Sequence, residues 1–548
     1  MPALEDSFAR PAMFRQACLD RASRAEGMRL SEAESLYLAM DSNLHLKSRE
    51  AGLDGDVLCY VVPRLPDCLP LVREVLLLPC ADEHILEEVR PGSWRPVKAR
   101  SRRRNAFFDG GSCLALMLNS VSDLDDIFPA LVGWQIEWNK AHRLLRGEPE
   151  SFAVNGSVKG VMERLGLDED VSARVAGLFR DPGNDFLHPA SQGELDITVR
   201  IAGCGVQGYD RGARIWVENL LEQAPELAAN KAGWVFCSSN LYTLANMTCG
   251  FSSRISGELD AYIAKHAPEQ IRMMLHVAES HGDPVLFHDV RYYVLQDFFN
   301  DNHNMLELRD KLRLEQGIRE LPDIAPLHLG AQVFQLSRLR PENYDPRVPR
   351  TTRSGVLLNI DYPLGFLAYH VLKELIAVLG QPRGIHVMGK AATMQGQVGD
   401  VMLPNRVYSQ HGGGGFMFEN ALTPATLAPR LRHNEVLGEQ GALTAWGPVL
   451  VDYPTMLAFK ASGFNSIEME AGAYLACYAE HLAGLATPGK GEVLRLPHLP
   501  QCPLSIAHYA SDNPLNPTQL LSRSLGLSGV QPVCACGAAV WKLILEGE

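Results

Sequence analysis

A chain of 548 residues is too long for one ordinary domain, so two or three are expected. Its make-up, 46% hydrophobic and 21% charged, is that of a soluble globular protein and excludes disordered or fibrous classes. A formal net charge of −13 argues against a general nucleic-acid-binding surface, and no apolar run is long enough to span a bilayer. The opening residues, MPALEDSFARPAMFRQACLDRASR, lack the basic-then-apolar order of a signal peptide, so a cytoplasmic location is expected. Twelve cysteines are thinly spread. Cys534 and Cys536 form a C-x-C pair without partner ligands, which reads as buried reduced thiols, and no metal or cofactor is expected.

Residues 1–150 read as an α+β region. GDVLCYVVPRL and REVLLLPCA are strands or short buried helices, a choice that periodicity leaves open. KARSRRRN, Lys98 to Asn105, reads as a solvated basic loop, with a phosphate or an acidic partner as the other reading. SVSDLDDIFPALVGWQIEWNKAHRLL is a helix with Asp123, Asp125 and Asp126 in its first turn and Lys140 and Arg143 near its end, an order that suits the helix dipole. Trp134 and Trp138, four apart, predict a packing stripe.

Residues 151–345 read as mostly helical, from segments such as RIWVENLLEQAPELAANKAGWVF and SGELDAYIAKHAPEQIRMMLHVAES. CSSNLYTLANMTCG between them suits a helix cap better than a ligand loop. His276, His281, His288 and His303 show no metal-ligand spacing. SRLRPENYDPRVPRTTRSG, residues 337–355, reads as a linker and sets the boundary at 345/346.

From residue 346 to 548 the pattern becomes α/β. GVLLNI is a strand, FLAYHVLKELIAVLG a helix ending at Gly380, GIHVMG a second strand, and GDVMLPNRVYS contains a third. Ligands of such sheets gather where strands end, which directs attention to four junctions. They are NIDYPLG (Asn359–Gly365), VMGKAATMQGQVGDVMLP (Val387–Pro404), SIEMEAG (Ser466–Gly472) and LSIAHYASDNPLN (Leu504–Asn516). A carboxylate at the third accepts from two vicinal hydroxyls at once, and charged acceptors make the stronger bonds. Glu468 suits a capping box with Asn465 at the helix start, which leaves Glu470 spare. SQHGGGGFMFEN, with four consecutive glycines, is expected to be a mobile loop acting as a lid.

In this order the four junctions resemble the purine nucleoside phosphorylase and nucleosidase superfamily, including AMP nucleosidase, over roughly the last third of the chain. The resemblance implies a mixed sheet flanked by helices and cleavage of the N-glycosidic bond of a purine nucleoside or nucleotide. It implies that Met469 and Glu470 grip the ribose and that Asp512, in YASDNP, hydrogen-bonds the base and donates a proton as the bond breaks. Trp446, Phe418 and Phe416 are candidates for stacking on the base. Gly389 of the glycine-rich turn, Lys390, Arg406 and Asp361 are candidates for the phosphate or nucleophile side, with His386 and His411 as alternative bases. A homo-oligomer is also implied. Where the phosphorylases place arginines for phosphate, this chain has Gly365 and, before the second junction, His386 and Val387. A guanidinium fork suits phosphate well, so their loss favours hydrolysis over phosphorolysis, with a catalytically reduced nucleotide-binding or sensing module, or a nucleoside phosphorylase with a rearranged phosphate site, as the alternatives.

Overall fold

The computed structural model describes residues 8–80, 93–146, 158–203, 206–432, 434–516 and 526–547. The molecule is α/β and is built on two sheets. The first comprises β1 (Met28–Arg29), β2 (Glu74–Pro79), β3 (Arg95–Ala99), β4 (Arg102–Phe108), β5 (Cys113–Leu118) and β6 (Thr198–Ile201), in the spatial order β1-β6-β2-β5-β4-β3. REVLLLPCA thus resolves as a strand, because β2 lies between parallel neighbours β5 and β6 and is covered on both faces. GDVLCYVVPRL resolves as a short helix, Gly55–Val61, which Asp54 caps by accepting from Asp56 N and Val57 N.

The second sheet comprises β7 (Trp234–Ser238), β8 (Ile318–Leu321), β9 (Ala331–Gln335), β10 (Val356–Ile360), β11 (Ile385–Thr393), β12 (Val401–Ser409), β13 (Gly414–Met417), β14 (Val436–Thr444), β15 (Phe464–Glu468), β16 (Val493–Arg495) and β17 (Leu504–Asp512). Its order is β16-β13-β12-β14-β15-β11-β7-β10-β9-β8, and β17 bridges β11 and β12. The pairing is mixed: β10, β7, β11 and β17 run parallel, while β9 is antiparallel to β10 and β15 to β11. Helices that matter below are α1 (Ala9–Ala22), α2 (Val121–Leu145), α3 (Val206–Gln223), α4 (Thr243–Cys249), α5 (Leu367–Leu379), α6 (Ala471–His481) and α7 (Val530–Glu546). Among the described residues no helix is long and apolar enough to cross a membrane.

Strand alternation joins the two sheets through a shared core. Val75 and Leu77 of β2 face one cluster, with Trp134 and Trp138 of α2, whose rings lie 5.4 Å apart as a packing stripe. Leu76 and Leu78 face the other cluster, with Trp216 and Leu220 of α3 and Phe236 and Val356 of the second sheet. Helix α3 approaches β2 closely: a Cβ on Gly212 would lie 2.5 Å from Cys80 Sγ.

Three expectations change. The second sheet crosses residue 346, since β7, β8 and β9 precede it and β10 follows. The expected linker is packed: the Arg347 side chain is 4% exposed, donates to Asp345 at 2.8 Å and meets Asp289 at 2.8 Å. The glycine run leads into β13, where a Cβ on Gly414 would lie 2.8 Å from the Pro488 carbonyl, so close backbone approach rather than mobility explains a glycine there. The cap reading of CSSNLYTLANMTCG matches what forms, with Asn240 Oδ1 accepting from Tyr242 N and Thr243 N at the start of α4.

Helix α7 seals the second sheet. Trp541 is fully buried, its indole N–H donates to Leu244 O at 3.3 Å, and its ring meets Phe334 of β9 edge-on at 5.5 Å. Trp541→Ala is expected to cost ~3–5 kcal/mol and to lower the urea midpoint accordingly. An unchanged midpoint would show that α7 is not part of the cooperative core.

Candidate active site

The two acids of SIEMEAG separate by their partners. Glu468, the last residue of β15, is buried and turns its carboxylate onto the start of α6. Its Oε2 accepts from Glu470 N at 2.7 Å and Ala471 N at 2.6 Å, and its Oε1 from the Thr444 hydroxyl. Burial pushes its pKa up to about 7 against those bonds. Glu468 alone therefore caps the helix, and Asn465 lies buried within β15 instead of serving as the expected cap. Gly472 lets the two elements meet, because a Cβ there would lie 2.8 Å from Ser409 Cβ and 2.9 Å from Thr444 Oγ1.

Glu470 points the other way, to the turn after β10. Its Oε1 accepts from Gly365 N at 3.2 Å. Burial, and then the neighbouring Glu468, push its pKa up to about 8. The next amide, Phe366 N, donates to Ser122 Oγ at 2.8 Å, and Ser122 Oγ lies 3.5 Å from His411 Nε2. Ser122 sits in the first turn of α2, so the N-terminal region closes onto this turn. That contact explains Gly365: its φ is +55°, and a Cβ would lie 2.3 Å from Ser122 Oγ. His411 packs on the Phe366 ring at 5.4 Å, and burial together with Arg15 pushes its pKa down to about 3.

Asp361 stands at the end of β10 and is bonded by Arg103 of β4. The expected solvated basic loop is thus a strand whose arginines are paired: Arg102 donates to Asp126 at 2.6 and 2.9 Å, and Arg104 meets Asp123 at 3.1 Å.

Asp512 closes β17. It is buried, its Oδ1 accepts from Ser511 Oγ at 2.6 Å, and burial pushes its pKa up to about 6, opposed by Ser511 and then by the charge of exposed Lys390. Ala392 of β11 pairs with Asp512 on one side and with Ile467 of β15 on the other. Strand β11 therefore runs on to Thr393, past the point where a turn at Gly389 is expected. Gly389 lies under the Tyr362 ring, which a Cβ would meet at 3.3 Å, and Tyr362 OH lies 3.3 Å from Tyr509 OH.

Trp446 follows β14 beside the same strand ends. Its backbone N–H donates to Gln410 Oε1 at 2.7 Å, the preceding Ala445 N donates to Glu468 O at 2.8 Å, and the Arg15 guanidinium lies 5.4 Å from its ring. Met469 is partly buried between Glu468 and Glu470, and its carbonyl faces Gly365.

Four candidates lie elsewhere. Arg406 donates to Gly463 O at 2.9 Å, at the start of β15 rather than its end, and covers the Phe464 ring. Phe418 lines a separate cavity of about 820 Å³ with Asn405, Glu419, Glu439, Arg495 and His498, and none of Glu470, Asp512 and Trp446 lines it. Phe416 is core. His386 is also core: it is fully enclosed, pairs with Ser505 Oγ at 2.8 Å through Nδ1, and burial pushes its pKa down to about 4. Residues that sequence reading missed are Ser122, Arg103 and Arg15. Only the basic run at 98–105 signalled any of them.

Because Glu470 is lifted from 4.5 to about 8, the folded state holds its proton over a range where the unfolded chain has lost it. Its contribution to stability is full below about pH 4.5 and is lost as pH rises toward 8. Glu470→Gln should flatten the fall of melting temperature across that window. An unchanged slope in a scanning-calorimetry pH series would show that Glu470 titrates normally.

No curated protein matches the chain. Solved structures similar to it include purine nucleoside phosphorylase from Toxoplasma gondii in complex with immucillin-H, at 14% identity over 43% of this chain and 84% of that one, TM-score 0.28. Others are the 5'-methylthioadenosine/S-adenosylhomocysteine nucleosidase of Neisseria meningitidis (12%, 45% and 95%, 0.27) and the S-adenosylhomocysteine nucleosidase of Streptococcus pyogenes (14%, 43% and 92%, 0.26). Residues 30–546 match a family of unknown function (DUF6909), and the chain belongs to that family.

Proposed function

We propose that the protein cleaves the N-glycosidic bond of a purine nucleoside or nucleotide, by hydrolysis rather than phosphorolysis. The observation that carries this reading is that the two strands flanking β11 near its end lead to Asp512 and to Glu470. Ala392 of β11 pairs with Asp512 on one side and with Ile467, three residues before Glu470, on the other. In this reading Glu470 and Met469 hold the ribose, and Trp446 contributes an aromatic wall.

Asp512 supplies the proton. Its pKa of about 6, lifted by burial, leaves about a tenth of it protonated at pH 7 and brings it toward the range a general acid needs. As the C–N bond breaks, its electron pair moves into the base and the Asp512 proton joins it. Water adds through oxygen to the anomeric carbon and gives up a proton that passes through solvent to the Asp512 carboxylate and restores the acid, so the net reaction is addition of one water. Glu470 enters this scheme neutral, able to donate one hydrogen bond and accept others.

Asp512→Asn keeps the shape and removes the acid. It is expected to lower base release about 10²–10⁴-fold in an assay on AMP, adenosine and inosine. Equal activity of mutant and wild type would overturn the acid assignment. Absence of release from all three by the wild type would overturn catalysis, and saturable binding without release would then identify a nucleotide-binding module.

A further inference from the structure

The cavity of about 820 Å³ that Phe418 lines takes no part in the chemistry above. It opens where β12 and β14 lose register, near the start of β14 and away from Thr444. Between the pairs Met402↔Leu437 and Pro404↔Gln440, one residue of β12 faces two of β14, Gly438 and Glu439. Between Pro404↔Gln440 and Arg406↔Gly441, Asn405 is the extra residue. Bulges of this kind re-aim side chains, and both Asn405 and Glu439 line the cavity. Glu439 does so with a φ of +55°, in the left-handed region that few non-glycine residues occupy and that costs free energy to hold.

The polar groups so placed are free. Among the described residues, neither the Glu439 carboxylate nor the Arg495 guanidinium has an ion-pair partner, and the Asn405 side-chain amide makes no hydrogen bond. Glu439 stands on β14 and Arg495 on β16, three strands away in the order β14-β12-β13-β16. Asn405 on β12 lies between them, its backbone carbonyl accepting from Phe418 N at 2.9 Å. Met417, Phe418 and Leu496 supply apolar wall, and Glu419 and His498 face each other at 3.4 Å.

We propose that this cavity binds a short apolar peptide with free termini, its ammonium on Glu439, a peptide unit on Asn405 and its carboxylate on Arg495. An asparagine side chain offers one carbonyl acceptor and an amide donor, the complement of a peptide unit. A strand spacing of about 4.8 Å sets the backbones of Glu439 and Arg495 about 14 Å apart, and both side chains reach inward from there. That span suits an extended tripeptide, about 10 Å long, better than a single amino acid, whose two charges flank one carbon. The volume lies within the range of about 300–1,000 Å³ usual for small-ligand sites.

Titration calorimetry on the full chain with trileucine, its N-acetylated form and its C-amidated form tests this. Trileucine is expected to bind saturably, and each blocked form about tenfold or more weakly. Glu439→Gln should erase the penalty of acetylation and leave that of amidation, and Arg495→Gln should do the reverse. Glu439→Gly relieves the strained φ, so it should melt above the wild type while binding trileucine as weakly as Glu439→Gln, and it decides the matter should Glu439→Gln lose its melting transition. A wild type that does not bind trileucine overturns the proposal, as do folded variants with the wild-type pattern of affinities. Free leucine binding as tightly as trileucine overturns the peptide and leaves a single amino acid as the ligand.

Discussion

The first turn of α2 is the constraint on which the site depends. Within five residues it sends Ser122 to Phe366 N, Asp123 to Arg104, Asp125 to Arg15 and Asp126 to Arg102. Burying three carboxylates together is costly, and the arginines meet that cost unequally. Burial raises the pKa of Asp123 and takes Asp125 up to about 6, whereas Arg102 and Arg104 outweigh burial at Asp126 and hold it well below the usual range. Buried ion pairs of this kind add little net stability over apolar packing, yet removing one member strands a charge. Their effect here is positional: they lock β4, α1 and α2 into one register, and that register places Arg103, Ser122 and Arg15 at the strand ends of the second sheet.

This coupling is why the domain boundary is hard to read along the chain. Composition marks 337–355 as a linker because it holds prolines, arginines and little apolar content. The arginine that matters, Arg347, is enclosed by Asp345 and Asp289, so its charge is paired rather than solvated. Composition records that a charge is present and not where its partner lies, and Asp289 is 58 positions away. The same blindness applies to KARSRRRN, whose partners are on α2 and β10. By contrast, the runs with strict apolar periodicity, β10, α5 and α2, form where the sequence places them, because burial needs only the local pattern and any apolar neighbour.

At the site, what was legible followed the same division. The split between Glu468 and Glu470 is local: one acid two and three residues before free helix amides takes them, and the other is left to turn outward. The place of Asp512 at the end of its strand is local too. Illegible were contacts that fold topology alone creates. Phe418 and Arg406 read as neighbours of the site because they stand between its junctions in the sequence, but Phe418 lies beyond β12 at the β13 edge and Arg406 at the far end of β15. Arg15 and Ser122 lie hundreds of residues from Trp446 and Phe366, and nothing local in a helix cap or a helix arginine declares such a partner.

The raised pKa of Glu470 and the closed turn at Gly365 meet at one contact. A carboxyl group in an open cleft keeps its water and titrates near 4, a value unsuited to donating a proton at neutral pH. Glu470 departs from that value because burial and then the neighbouring Glu468 raise it, and the backbone bonds it accepts, that of Gly365 N among them, offset this only in part. The closed turn excludes an arginine from position 365, since Ser122 occupies the space where even a Cβ would stand.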